Sequence, residues 1–250
     1  MIHTEHLTKR FGTLTAVNDL NLRIAPGEFF AFLGPNAAGK TTTIKLLTGL
    51  LKPTSGRALI GGHDIQADPI AARKLISYVP DLPFLYDKLE PMEFMQLVGQ
   101  LYGMQRQEVL RTGEKLFDVF DLTETRGQLI ETLSHGTRQR VVIASALLHD
   151  PKVIIIDEPM VGLDPRSARV VKDVLKARSQ AGTTVFLSTH ILHIAEELAD
   201  RIGILNRGRL IAAGTMNELR EASGGGGALE DAFLALTSEQ PQEQAAAGPA

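Results

Sequence analysis

The stretch Gly34-Pro35-Asn36-Ala37-Ala38-Gly39-Lys40-Thr41-Thr42 constrains this chain more than any other. The apolar run Phe29 to Leu33 precedes it and Ile44-Lys45-Leu46-Leu47 follows, so the order is strand, glycine-bounded loop, helix. In that setting a G-x-x-x-x-G-K-[ST] run captures phosphate. Backbone N–H groups of the loop, and the positive end of the helix after it, point at an anionic chain. Lys40 is placed to reach β- and γ-phosphates, and the Thr41 hydroxyl to ligate Mg²⁺. An ordinary glycine loop is the plainer alternative, but the pattern arises by chance in roughly one chain in a hundred of this length.

Composition narrows the class. Of 250 residues, 44% are hydrophobic and 22% charged, which suits a globular protein with a sizeable core. A net charge of −3 supplies no basic field, so no nucleic-acid partner is expected. Cysteine is absent, which removes disulfides and thiolate metal sites. No apolar run approaches the ~20 residues of a membrane-spanning helix, and the first residues lack a signal-peptide layout. These features point to the cytosol, with any membrane role exercised through a partner.

Periodicity divides the chain. Residues 2–30 read as antiparallel β-structure, with Pro26-Gly27 a turn before the strand that feeds the loop. The helix after the loop runs to about Leu51. Arg57–Ile60 and Leu75–Val79 read as strands. Residues 82–150 read as a helical insertion in an α/β core: one helix from Pro91 with Phe94, Leu97, Val98 and Leu101 on one face, a second over 108–120, and a third from Ser134. The continuous apolar run Val153–Ile156 has the character of a central parallel strand. A helix over 165–179, a strand at 184–187, a helix over 191–200 and a hairpin about Asn206-Arg207-Gly208 complete the core. Gly224–Gly227 and the Ala/Gln/Pro-rich end read as linker and tail around a short amphipathic segment, 229–236.

Two further stretches carry chemistry. The buried strand ends in Asp157-Glu158, at the carboxyl edge where open α/β sheets bind ligands. Asp157 is placed to hold Mg²⁺ and Glu158 to polarise an attacking water. A merely solvated strand end is the weaker alternative. In Leu133-Ser134-His135-Gly136-Thr137-Arg138-Gln139-Arg140, Ser134 opens a helix and Gly136 permits close backbone approach, a second phosphate-seeking helix end. One triphosphate does not need two such ends from one subunit, so the second serves a nucleotide bound by another subunit.

These motifs together resemble the ATP-binding subunit of an ABC (ATP-binding cassette) transporter, over about residues 1–215. Gly34–Thr42 matches Walker A and Val153–Glu158 matches Walker B. Leu133–Arg140 resembles the LSGGQ signature, Gly162-Leu163-Asp164 the D-loop, and Ser188-Thr189-His190 the switch-histidine strand end. The resemblance implies a P-loop NTPase core with a mostly parallel sheet, an N-terminal antiparallel β-subdomain and an inserted α-helical subdomain, followed by an extension over 216–250. It implies ATP and Mg²⁺ as cofactors, with Thr41, Asp81 and Asp157 about the metal. Phe11, by itself an ordinary edge-strand aromatic, becomes the adenine-stacking residue. His190, which alone could be a structural cap, becomes a γ-phosphate ligand. The implied assembly is a head-to-tail homodimer or heterodimer. Phe11, the Gly34–Thr42 loop, Asp157, Glu158 and His190 of one copy face Ser134 and Gly136 of the other, with Asp164 crossing between them. A separate transmembrane permease would hold the cassette at the inner face of the cell membrane.

Three positions depart from the family pattern. Ala37 stands where glycine is usual, a cost of order 1 kcal/mol if that position needs positive φ. His135 replaces the first signature glycine, and Asp81 the glutamine of the Q-loop, where an acid still holds Mg²⁺ and water. The acidic Q-loop, the signature histidine and the 229–236 segment resemble the bacterial subgroup that pairs with ABC-2-type export permeases. The apolar run Leu82-Pro83-Phe84-Leu85-Tyr86 then borders the groove for a permease helix, or packs locally in the helical lobe. The rival readings are a soluble non-transport ABC ATPase, for which the 82–150 insertion is short, and a catalytically impaired regulatory cassette.

Overall fold

The computed structural model describes residues 1–222 and Phe233. Its backbone is two sheets with helices on the outer faces. The smaller sheet is antiparallel, in the order β2-β1-β4-β5, from β1 (Ile2–Phe11), β2 (Leu14–Ile24), β4 (Ser55–Ile60) and β5 (His63–Asp64). The six-stranded sheet has the order β10-β9-β3-β8-β7-β6, from β3 (Phe29–Leu33), β6 (Ile76–Val79), β7 (Val153–Asp157), β8 (Thr184–Thr189), β9 (Arg201–Asn206) and β10 (Arg209–Gly214). Its strands pair in parallel except β10, which turns back antiparallel on β9.

Period-two burial locks the sheets together. On β3, Phe30 and Phe32 face the smaller sheet and stack with Phe186 of β8, at ring-centroid distances of 5.9 and 5.2 Å. The alternate residues point to the opposite face, where Phe29 joins the core beneath the helical lobe and Ala31 and Leu33 pack on the C-terminal helices. Each of these residues is fully buried. With both faces covered, β3 and β7 must read as unbroken apolar runs.

The first helix, α1 (Lys40–Leu47), is shorter than the sequence suggests; Thr48 caps it and Gly49, at φ +70°, turns the chain away before Leu51. A short helix too brief for a periodic signal, α2 (Pro69–Lys74), starts at the Asp68 cap with proline in its first turn. The helical lobe contains α3 (Pro91–Leu101), α4 (Arg106–Val119) and α5 (His135–Ala146). Glu90 and Glu93 form a capping box on α3, and Gly103 follows its end at φ +75°. Gly99 fits α4 because a Cβ there would meet Val109 at 2.3 Å. Leu101 departs from expectation: it is 78% exposed, and Phe94 and Met95 carry the buried face instead. The chain then passes through α6 (Pro165–Gln180), α7 (Leu192–Leu198) and α8 (Met216–Ala222). Phe233, helical and half-buried, packs on the Ala31–Leu219 cluster. The glycine linker and the remaining tail expected from sequence lie outside the described residues.

His149 follows α5 with its ring stacked on Tyr102 at a centroid distance of 3.5 Å. Burial pushes its imidazole down to about 4 from an ordinary 6.5. An unfolded chain therefore takes up this proton at a higher pH than the native one. The contribution to stability is complete above pH 6.5 and drains away as the pH falls towards 4. His149→Phe keeps the stack and removes the proton site. Urea unfolding at pH 7, 5.5 and 4.5 should show a flatter pH profile for this variant than for the parent; parallel profiles would exonerate His149.

Candidate functional site

The glycine-bounded loop leaves β3 at the carboxyl edge of the large sheet and wraps back into α1. Two close backbone approaches set its shape. A Cβ on Gly34 would lie 2.5 Å from the Leu205 carbonyl, and one on Gly39, at φ +107°, would lie 2.3 Å from that of Ala16. Ala37 adopts φ +63°, so the position does demand the left-handed region, and alanine carries a strain of about 1 kcal/mol there. The β9–β10 turn braces the loop from the side: Gly208 N–H donates to the Ala38 carbonyl at 2.8 Å.

Lys40 closes the loop on itself. Its buried ammonium donates to the carbonyls of Gly34 at 2.6 Å and Pro35 at 3.2 Å. Burial pulls its pKa down, against the opposing pull of Glu158 and Asp157. The next residue bridges loop and sheet, as Thr41 Oγ1 donates to Asp157 Oδ2 at 3.0 Å. Asp157 is 2% exposed, and burial raises its pKa against the hydrogen bond from Thr41.

Glu158 follows at φ +47°, and this turn swings its side chain off the strand line. Its N–H donates to the Ser188 carbonyl at 3.0 Å. One carboxylate oxygen meets His190 Nδ1 at 2.8 Å and the other accepts from Thr189 Oγ1 at 3.2 Å. The parallel pairing of β7 with β8 places these two strand ends side by side.

A cleft of about 680 Å³ collects these groups. Phe11, Asn36, Ala37, Ala38, Gly39, Lys40, Thr41, Thr42, Asp81, Asp157 and Glu158 line it, so eleven residues singled out from sequence share one cavity. Gly34 and Pro35 lie behind it through their bonds to Lys40, and His190 reaches it through Glu158. Phe11 is half-exposed, with the Lys9 ammonium 5.1 Å from its ring centroid. Thr41, Asp157 and Asp81 offer the all-oxygen donor set that Mg²⁺ prefers, with room for phosphate oxygens and water.

Ser134, Gly136 and Asp164 do not line this cleft. Ser134 is the exposed N-cap of α5, accepting from Thr137 N–H at 3.2 Å. Gly136 backs onto Gly162 and Leu163, while the His135 ring occupies the space a Cβ on Gly162 would need. Asp164 caps α6, accepting from the N–H groups of Arg166 and Ser167 at 3.0 Å each and from Ser167 Oγ at 2.5 Å. Those bonds hold its carboxyl below the usual range.

Sequence reasoning missed Leu14, Thr15, Ala16, Arg207 and Gly208 as cleft residues. Their positions depend on β9 pairing with β3 and on the smaller sheet folding over the loop, and no local pattern encodes either contact.

Comparison with known proteins gives a consistent result. The family model described as ABC transporter matches residues 17–161, more than half of the chain. The chain is 39% identical to the daunorubicin/doxorubicin resistance ATP-binding protein DrrA of Streptomyces peucetius, over 89% of this chain and 68% of that one. It is 36% identical to the linearmycin resistance ATP-binding protein LnrL of Bacillus subtilis, over 95% and 75%. Among solved structures, an ATP-binding subunit of an ABC transporter superposes with a TM-score of 0.90 at 32% identity, covering 95% of this chain and 99% of that one. A dimeric, post-hydrolysis state of the ATP-binding cassette MJ0796 bound to ADP and Pi superposes with a TM-score of 0.79 at 26% identity, covering 86% and 98%. With the family model over more than half of the chain and relatives of 36–39% identity over most of it, the chain belongs to the ABC transporter family, as an ATP-binding and ATP-hydrolysing subunit.

Proposed function

We propose that this subunit powers export of a substrate through a separate membrane permease, by binding and hydrolysing ATP between two cassettes. The single observation that carries the catalytic part is the Lys40–Thr41–Asp157–Glu158 cluster in one cleft at the sheet's carboxyl edge. Two relatives named for drug resistance, and a third named as a Nod factor export ATP-binding protein, support export as the direction of transport. No helix among the described residues is long and apolar enough to cross a membrane.

In this reading Phe11 stacks the adenine and the Gly34–Thr42 loop wraps the phosphates. Lys40 exchanges its two loop carbonyls for phosphate oxygens. Thr41, Asp157 and Asp81 hold Mg²⁺, which neutralises phosphate charge when bound. Glu158 orients the attacking water and accepts its proton, and the short bond from His190 Nδ1 fixes one face of that carboxylate. Ser134 and Gly136 present the α5 N-terminus to a nucleotide held by the facing cassette. The first N–H groups of a helix lack intrahelical partners and favour an anion. Cassettes so joined close on ATP and open after hydrolysis, and the motion is passed to the permease.

The permease contact falls on an apolar groove of about 450 Å³ between α1, β6 and α3, with Leu50, Tyr78, Phe84, Val98, Leu101 and Tyr102 in its walls. Phe84 is 78% exposed, as is Leu101. Exposed apolar side chains gathered around one groove mark a protein-binding surface.

Glu158→Gln keeps the shape and removes the base. Its hydrolysis rate should fall roughly 10²- to 10⁴-fold while ATP-bound dimers accumulate on a sizing column with ATP and Mg²⁺; near-parental turnover would strip Glu158 of its role. Lys40→Ala removes charge-assisted bonds worth about 1.5–3 kcal/mol, so titration calorimetry should show ATP binding weakened roughly 10- to 100-fold. The double variant Phe84→Glu, Leu101→Glu should bind ATP normally yet fail to co-purify with the membrane subunit from detergent extracts. Undiminished co-purification would move the contact elsewhere.

A further inference from the structure

The cleft holds two cations, and only Lys40 is explained by the loop motif. The other is Arg207, on the turn between β9 and β10. This turn is fixed against the nucleotide loop from both sides. Gly208 N–H donates to the Ala38 carbonyl at 2.8 Å, and Asn18 N–H donates to the Gly208 carbonyl at 2.8 Å. A Cβ on Gly208 would lie 2.8 Å from the Ala16 carbonyl, so the turn is packed against β2 with no slack. Arg207 adopts φ +47°, a conformation that a side-chain-bearing residue keeps only when its surroundings impose it.

The neighbouring arginines have evident structural partners. Arg209 donates to the Asn18 side-chain oxygen through Nε and Nη2, with the amide turned to receive both. Arg201 pairs with Glu28 at 3.0 Å. Arg207 is exposed, and among the described residues its guanidinium has no hydrogen bond, ion pair or ring contact. This unpartnered guanidinium, carried on a fixed turn, lines a cavity whose other charged walls are Lys40 and three carboxylates, Asp81, Asp157 and Glu158. A polyanion entering that cavity meets net negative charge from the side chains alone, and a second cation offsets it. Guanidinium also matches a phosphate's paired oxygens, where an ammonium offers only a point charge.

We infer that Arg207 is a second nucleotide-binding residue, which takes the phosphate chain from the β9–β10 side of the cleft and adds an exposed cation to the buried one of Lys40. The inference rests on the reading of this cleft as the ATP site. It assigns Arg207 to the phosphates rather than the base because the Gly208–Ala38 bond seats its turn on the phosphate loop. In addition, the Phe11 ring that would stack the base already has the Lys9 ammonium over it.

The test is equilibrium binding of ATP, ADP and adenosine to the full chain and to Arg207→Ala, Arg207→Lys and Lys40→Ala. Arg207→Ala should bind ATP and ADP about tenfold more weakly and adenosine as the parent does, with Arg207→Lys recovering part of the loss. Unchanged ATP and ADP affinity in Arg207→Ala, with Lys40→Ala impaired, overturns the inference and leaves the ATP site standing. An equal loss for adenosine overturns the phosphate assignment in favour of the base. A parent chain that binds neither ATP nor ADP overturns both the inference and the reading beneath it.

Discussion

The burial of one ammonium organises this molecule's chemistry. Lys40 sits 8% exposed between carbonyls that its own loop turns inward, so its charge is held by Gly34 and Pro35 and not by a carboxylate partner. Burying an uncompensated charge is costly, and the loop carbonyls meet that cost. The loop can present them only because Gly34 and Gly39 let the backbone come within van der Waals reach of Leu205 and Ala16. The phosphate loop is thus a joint between three strands, β2, β3 and β9, and its shape is a property of the whole sheet arrangement.

The same logic explains why the sheet strands are so apolar and so short. Five buried residues carry β3 from the core to the loop, and five carry β7 from the core to Asp157. Alternate side chains serve different cores, the inter-sheet aromatic cluster on one face and helices on the other. Register is pinned by this two-sided burial, since a one-residue slip would send Phe30 and Phe32 to the wrong face. Register in turn sets Asp157 beside Ser188 and leaves Glu158, His190 and Thr189 at one edge.

Much of this was legible in the sequence because the decisive signals are local. The Gly-Lys-Thr loop, the Val153–Asp157 strand and the Ser134 cap are each written in fewer than ten consecutive residues. What stayed hidden depends on pairings distant in sequence. Arg207 looked like a plain hairpin residue because nothing near it says that β9 lies beside β3. Leu101 fitted an amphipathic face on spacing alone, yet the packing of α3 on α4 through Gly99 rolls the helix so that Leu101 reaches the groove instead. The helix α2 was overlooked because it is six residues long, below the span over which periodicity speaks. The Asp68-Pro69 start was its one local sign.

The three departures from the family pattern are absorbed in different ways. Ala37 accepts strain: its φ of +63° is imposed by the loop, and neighbouring bonds such as Ala38 N–H to the Pro35 carbonyl at 3.2 Å hold it there. Asp81 lines the same cleft as Asp157 and adds a carboxylate to its negative side. His135 has the largest structural consequence. Its ring lies where any side chain on Gly162 would have to go, so the α5 cap and the turn before Asp164 are in direct contact within one subunit. Residue 162, at φ +77°, favours glycine by conformation, and the exposed imidazole of His135 fills the space a Cβ would take. In the proposed dimer these two segments face the partner's nucleotide. The segments that resemble the signature and the D-loop thus meet within one subunit through His135 and Gly162.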